Sequence, residues 1–398
     1  MSKFSHALME NNITREDLNS VISFLQQDPT PILTNASPKI KEFEDKWNEW
    51  LGTKYTTLVS SGAMANELTM LIIKQMFGKG AEIVVPPLTW ASDWYSVIRN
   101  GLVPITCDIN FRNLSFDLEK LKKIITPKTK AIFLTHVLGL NALSDELIKI
   151  CEDNNLLLIE DCSESHGATF KGKKVGNFSF VSNFSFFFAH HMSTIEGAAI
   201  STNDERFYQL LRCNRSHSML RESTDEEFKK EIQLKYPDVN PDFLFLDTGF
   251  NCRSNAISAT IGIEQLKRLD SNNEKRIANF KYFIENLNKN KYFTDFDMEG
   301  QSNYAFILIL KEFNRAKWKE VENTLKDNSI EYRSGGAGGG SQLKQPVILN
   351  YMKENGRFID ESEFPIMEHI HFCSAYIGNY PSLPREKIDK LLQILNNI

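Results

Sequence analysis

Apolar residues recur at helical spacing in two stretches near the start of the chain. The first covers 15–26, with Thr14 placed to cap it and Pro29 and Pro31 beyond its end. The second opens at Ser37-Pro38, a capping hydroxyl followed by proline at the first helical position. It runs through Trp47 and Trp50 and stops at Gly52. Beyond Gly52 the pattern changes to alternation. Short apolar runs at 55–59, 82–85, 103–107, 131–134 and 156–159 are separated by helical patterns such as 64–76, 91–100 and 145–153. This predicts an α/β domain: a mostly parallel mixed sheet with helices on both faces. Ligands of such sheets bind beyond the carboxyl ends of the strands, where the connecting loops gather.

From 254 to 289 the pattern is helical, with a break predicted near Asp270-Ser-Asn-Asn. We read 1–253 as an N-terminal segment and large α/β domain, 254–289 as connecting helices, and 290–398 as a smaller α+β domain. The last has a strand near 304–310 and helices near 315–326 and 385–395. Gly335-Gly-Ala-Gly-Gly-Gly340 is expected to be a flexible loop. A phosphate cradle is one use of it; a mobile lid or plain linker suits so glycine-rich a stretch better.

Composition narrows the field. The chain has 398 residues, 41% hydrophobic and 24% charged, an ordinary globular balance, and a net charge of -5 that leaves no nucleic-acid footprint. No apolar run reaches membrane-spanning length. Met1-Ser-Lys-Phe-Ser-His lacks the apolar core of a signal peptide, so a cytoplasmic location is expected. The 6 cysteines are scattered, without a C-x-C or C-x-x-C pair, which argues against a zinc or iron–sulfur site and for reduced, mostly buried thiols. His369 and His371 form an H-x-H pair without nearby carboxylate or thiol ligands, and no metal is expected.

Several loops carry candidate chemistry. Ser61-Gly62-Ala63 follows the first sheet strand and opens a helix, whose free N–H groups suit a phosphate. Trp90 follows another strand; it is either a core tryptophan or a ring that stacks on a planar cofactor. Asp161 and Glu164 follow a fully apolar strand. They are either solvated loop acids or, for Asp161, a partner for a pyridinium nitrogen and, for Glu164, a neighbour of the ring hydroxyl. Ser185 offers a hydroxyl to a phosphate. The segment 184–197, with His190 and His191, has the shape of a pyridoxal phosphate (PLP) attachment segment, but His190 stands where lysine is normal. Imidazole cannot form the covalent link to the cofactor aldehyde. No lysine lies between Lys174 and Lys229 to replace it.

Taken in order, Ser61-Gly-Ala, Pro86-Pro-Leu-Thr-Trp90, Glu160-Asp-Cys-Ser-Glu-Ser-His-Gly167, the segment 185–197, Arg215-Ser-His217, Gly249-Phe-Asn-Cys-Arg-Ser254 and Ile261-Gly-Ile-Glu-Gln-Leu266 resemble the DegT/DnrJ/EryC1/StrS sugar aminotransferases. The resemblance spans about 37–395. It implies the aspartate aminotransferase fold (PLP fold type I), PLP and pyridoxamine phosphate (PMP) as cofactor forms, and a homodimer with shared sites. It places Trp90 on the cofactor ring, Asp161 at the pyridine nitrogen and Glu164 near the ring hydroxyl. Ser61, Gly62, Ala63 and Ser185 would hold the phosphate, and Asn251 would reach it from the partner subunit. Arg253 would hold a glutamate carboxylate and His217 would help position substrate.

Three positions depart from the family: His190 for lysine, Glu164 for glutamine and Ala63 for threonine. The first resembles the family's sugar 3-dehydratase branch, and the cysteine spacing resembles its cluster-free, GDP-sugar members. That implies loss of the C3 hydroxyl from a nucleotide-linked 4-keto-6-deoxy sugar, with L-glutamate as amino donor and His190 rather than His191 as base. An imidazole of near-neutral pKa suits both proton acceptance and donation. The setting implied is 3,6-dideoxysugar (colitose-type) O-antigen synthesis. A nucleotide-sugar aminotransferase and a non-catalytic PLP-binding homologue are the alternatives.

Overall fold

The five apolar runs read as strands between 55 and 159 all join one sheet. The structure, a computed structural model, describes residues 4–398; Met1 to Lys3, the start of the segment read above for a leader, lie outside them. The strands are β1 (Tyr55–Val59), β2 (Glu82–Val84), β3 (Val103–Ile105), β4 (Thr129–Thr135), β5 (Leu157–Asp161), β6 (Thr169–Phe170), β7 (Lys173–Lys174), β8 (Val181–Ser185) and β9 (Ala198–Thr202). The main sheet has 7 strands in the order β1-β9-β8-β5-β4-β2-β3, and β9 alone runs against the rest. β6 and β7 form a separate small hairpin. Strand residues alternate between faces, so β5 sends Ile159 into one apolar cluster and Leu158 into another.

The predicted helix starts hold. Thr14 and Asp17 form a reciprocal capping box before Arg15–Leu25, and Ser37 with Pro38 opens Pro38–Leu51. Gly52, at φ 94°, ends the second helix in the left-handed region that glycine tolerates.

β10 (Ala305–Ile309), β11 (Tyr332–Ser334) and β12 (Ser374–Gly378) form a second, antiparallel sheet in the order β10-β12-β11. The long helix that precedes it is continuous from Ala256 to Asn286, without the break predicted near Asp270. Its polar residues have partners: Asp270 accepts from Trp50 Nε1 (2.9 Å), Ser271 Oγ donates to Arg268 O (3.0 Å) and Asn273 Nδ2 donates to His166 O (2.7 Å). Side chains so used need not interrupt a helix.

The glycine-rich stretch 335–340 also departs from expectation. Gly335, Gly336, Ala337 and Gly340 are buried. Gly335 N donates to Ser374 O (2.8 Å), and Gln342 Nε2 donates to Thr89 O (2.9 Å). A Cβ on Gly338 would stand 2.1 Å from Thr89 O. Glycine serves here for close approach to the turn that carries Trp90, rather than as a free linker or lid.

Candidate active site

The first candidate loops meet at the carboxyl ends of β1 and β8. Ser61 caps the helix Gly62–Phe77, its hydroxyl accepting from Met64 N (3.3 Å). The first N–H groups of that helix have no partner inside it and point out of its end. Ser185, the last residue of β8, lies against Gly62: a Cβ there would sit 2.7 Å from Ser185 Cβ. Ser185 Oγ accepts from Phe187 N (3.3 Å) and keeps its own proton to donate. Glycine, bare N–H groups and two hydroxyls thus form a cradle of phosphate-binding chemistry.

Trp90 precedes the helix Ala91–Arg99 and is 64% exposed, which rules out the core reading. Trp94, fully buried with Nε1 donating to Pro86 O (2.9 Å), fills the core instead.

Asp161 ends β5, and its buried carboxyl accepts from Ser163 N (2.8 Å) and Asn66 Nδ2 (3.3 Å). It is not a solvated loop acid. Glu164 is half-buried, and its Oε2 accepts from Leu138 N (2.8 Å). Burial pushes the Glu164 carboxyl up to about 7; Asp161 adds to the rise and the Leu138 N–H opposes it. A carboxyl near that value is partly protonated at neutral pH and can donate a hydrogen bond as glutamine does.

The three histidines His166, His190 and His191 group beside these acids. The His190 ring lies 6.3 Å from His166 and 5.8 Å from Tyr304 between centroids. His190 Nδ1 is buried and has no hydrogen-bond partner among the described residues. Burial pushes its imidazole down to about 4, Arg276 adds to the fall and Asp161 opposes it. This departs from the near-neutral value expected: His190 is a free base at neutral pH, and once protonated it gives the proton up readily. His191 is engaged elsewhere, its Nε2 bonded to Ser302 O (2.9 Å). Arg276 is fully buried among backbone carbonyls, donating to Tyr304 O (3.0 Å) and to Asn379 O.

Other candidates stand apart from this group. His217 is exposed in the left-handed region at φ 59°, its N–H bonded to Phe250 O (2.6 Å). Asn251 and Arg253 are exposed, with Arg253 Nε donating to Asn251 Oδ1 (3.1 Å), on a segment paired with the end of β1. Ala63 lies in the first turn of its helix and supplies backbone only. On the far face of the sheet His136 Nε2 bonds Glu160 Oε2 (2.9 Å) and His136 Nδ1 accepts from Ala142 N (3.1 Å). His369 bonds Leu310 O and His371 accepts from Ser341 N, so the H-x-H pair is divided between two structural roles.

Sequence reading missed Asn66, Asp93, Arg276 and Tyr304. A faint signal existed for two of them. Asn66 is a polar residue within a mostly apolar helix, and Asp93 follows Trp90 in the first turn of a helix that also buries Trp94 and Val97. Arg276 and Tyr304 had no signal, because only the fold carries them to His190.

PLP fits these residues. The Gly62–Ser185 approach suits its phosphate, the Asp161 carboxyl its ring nitrogen, and the exposed Trp90 indole its ring face. His190 leaves an unpartnered nitrogen and no amine for a covalent anchor.

The sequence pattern of the DegT/DnrJ/EryC1/StrS aminotransferase family matches residues 11–392. Over 362 residues, 89% of this chain and 90% of the relative, the chain is 34% identical to a GDP-4-keto-6-deoxy-D-mannose 3-dehydratase of Yersinia pseudotuberculosis. The solved structure of an E. coli GDP-4-keto-6-deoxy-D-mannose-3-dehydratase with bound hydrated PLP matches with a TM-score of 0.85 at 28% identity, over 99% of this chain and 100% of that one. A GDP-4-keto-6-deoxymannose-3-dehydratase with a trapped PLP-glutamate geminal diamine matches with a TM-score of 0.85 at 29% identity, over 98% and 100% of the two chains.

Proposed function

The chain belongs to the DegT/DnrJ/EryC1/StrS aminotransferase family, and from that premise we propose that it is a PLP/PMP-dependent GDP-sugar 3-dehydratase. Its substrate is GDP-4-keto-6-deoxy-D-mannose, and L-glutamate is the amino donor. The observation that carries this reading is His190. An unpartnered, neutral imidazole occupies the place of the family's lysine while the rest of the cofactor chemistry is present.

When bound, the cofactor supplies an amine for the C4 ketone and a protonated ring that accepts electrons. Asp161 holds the proton on the ring nitrogen, and Glu164 faces the ring hydroxyl. Trp90 covers the ring, and Ser61, Gly62, Ala63 and Ser185 bind the phosphate. His190 takes up a proton and delivers one to the C3 oxygen as that hydroxyl leaves. In sum, sugar and glutamate become a 4-keto-3,6-dideoxy sugar, 2-oxoglutarate and ammonia, which balances without a further reductant.

The working unit in this reading is a homodimer in which Asn251 reaches the partner's phosphate, Arg253 holds the glutamate carboxylate and His217 helps position the sugar. Support comes from their exposure, and from Phe187 and Phe188, 41% and 42% exposed next to His190. The place we assign is the cytoplasm, in colitose-type O-antigen synthesis; no helix among the described residues is long and apolar enough to cross a membrane.

Mass spectrometry of the product tests the activity. With PLP, L-glutamate and GDP-4-keto-6-deoxy-D-mannose, the product should be lighter by one oxygen, with ammonia released. An amino sugar instead would overturn the dehydratase and establish an aminotransferase.

A further inference from the structure

Asp161 belongs to a buried pair of acids. The carboxyl of Asp93, on the helix Ala91–Arg99, lies within hydrogen-bonding reach of it. The two carboxyls share one amide: Asn66 Nδ2 stands 2.8 Å from Asp93 Oδ1 and 3.3 Å from Asp161 Oδ2. That amide is itself held. Its nitrogen meets Ser92 Oγ at 3.0 Å, and its oxygen accepts from Asn183 Nδ2 at 2.8 Å. Asn183 in turn accepts from Thr69 Oγ1 at 3.1 Å. The other oxygen of Asp93 meets the hydroxyls of Thr89 and, at 2.8 Å, Thr135.

Asp93 is fully buried, and Asp161 is the titratable group that faces it; the rest of its shell is the neutral Asn66, Thr89 and Thr135. Two carboxylates so close in a buried site cannot both ionise without large cost. Burial first, and Asp161 next, push the Asp93 carboxyl well above the usual carboxylate range. A proton on Asp93 has acceptors in both directions: the Asp161 carboxylate on one side, and on the other hydroxyls that accept as well as donate. Asp161, at the strand end, is the member that acts on His190.

We propose that Asp93 is the positioning residue for Asp161: the two buried carboxyls share one proton and the Asn66 amide, and Asp93 thereby keeps Asp161 aimed at the ring nitrogen. This rests on the reading of Asp161 given above. It also links two functions mechanically. Thr89, bonded to Asp93, is joined to Trp90, so the ring's stacking partner and its acid are set by one hydrogen-bonded unit.

The test uses the full-length protein and three variants, Asp93→Asn, Asp93→Val and Asp161→Asn. Readouts are the absorbance of bound PLP against pH, kcat and KM separately, and the infrared C=O band of a protonated carboxylic acid at neutral pH. Asparagine is the neutral isostere, so D93N should keep the pH profile and turn over within about threefold of wild type while losing the Asp93 part of the infrared band, read as the wild-type-minus-D93N difference. D93V should lower kcat about ten- to a hundredfold, the worth of one hydrogen bond to a charged group, with little change in KM and a shifted pH profile.

Wild-type kcat and profile in D93V would overturn the proposal, as would a loss in D93N equal to that in D93V. If D93V does not fold, the wild-type-minus-D93N difference spectrum decides, because Glu164 contributes equally to both: a protonated-acid band in that difference supports the proposal, and its absence overturns it. D161N separates the underlying reading. If it keeps the wild-type spectrum and turnover, Asp161 itself has been misassigned; if it fails while D93V behaves as wild type, only Asp93 has.

Discussion

His190 is a free base at neutral pH because the fold desolvates it beside the buried Arg276, and Asp161 only partly offsets that. Lysine in its place would compete for the cofactor aldehyde. His190→Lys should therefore lower dehydration at least about a hundredfold, the usual worth of a general acid–base residue, and acquire a covalent cofactor adduct, visible by protein mass spectrometry after reduction. A variant that kept full dehydratase activity would refute the role. Glu164 titrates in the opposite sense. Its folded-state value, about 7 against an ordinary 4.5, means that the folded protein holds this proton more tightly than the unfolded chain. Its contribution to stability is therefore greatest below about 4.5 and is lost as pH rises through about 7. His190, depressed from 6.5 to about 4, adds stability as pH rises over that lower range, so only a difference between variants isolates Glu164. Melting temperatures of the cofactor-free protein should show Glu164→Gln gaining on wild type as pH rises from about 4.5 to about 7. A constant difference would mean that folding leaves the proton affinity of Glu164 unchanged.

Among the elements, the join between the helix Gly62–Phe77 and the end of β8 governs cofactor binding. The Ser185 side chain leaves no room for one at position 62, where a Cβ would fall 2.7 Å from the Ser185 Cβ. Gly62→Ala must push the helix start away from β8, at about 1–3 kcal/mol for overpacking. The expected result is a lower melting temperature and weaker PLP retention, measured by dialysis and absorbance; unchanged retention would place the phosphate elsewhere. The long helix Ala256–Asn286 teaches a different lesson. Asp270-Ser-Asn-Asn reads locally as a breaker, yet Trp50, Arg268 and His166 supply partners that local sequence does not reveal. Likewise the glycines of 335–340 read as freedom and serve as close packing against Thr89.

Across the whole molecule, one apolar cluster runs from Val59 and Ile159 of the main sheet to Phe306 and Ile377 of the second sheet. Ser302, just before β10, accepts from His191, and Tyr304 flanks His190. The second sheet is thereby part of the site's wall. On the other side Phe187 and Phe188 stay open, and Asn251 and Arg253 project outward. If two copies share their sites, His190→Asn and Asn251→Ala subunits should each be nearly inactive alone and regain activity when co-assembled, since a mixed dimer holds one intact site. Mixed assemblies that stay inactive would mean that each subunit works with its own residues.

Local pattern was enough for the elements with strong periodicity and for the residues at strand ends. The runs at β1, β2, β4 and β5, the caps Thr14 and Ser37, and the order of Ser61, Trp90, Asp161, Ser185 and His190 follow from local pattern, because hydrophobic period and turn chemistry act over a few residues. β8 and β9 were less legible: the phenylalanine-rich stretch that contains β8 reads only as core, since a strand buried on both faces loses its alternation. How the site is tuned depends instead on packing across the chain. Asn66 bridging two acids, Arg276 beside the histidines and the free state of His190 depend on residues far apart in the chain. Burial and electrostatic neighbours are properties of the packed molecule, which no local spacing encodes.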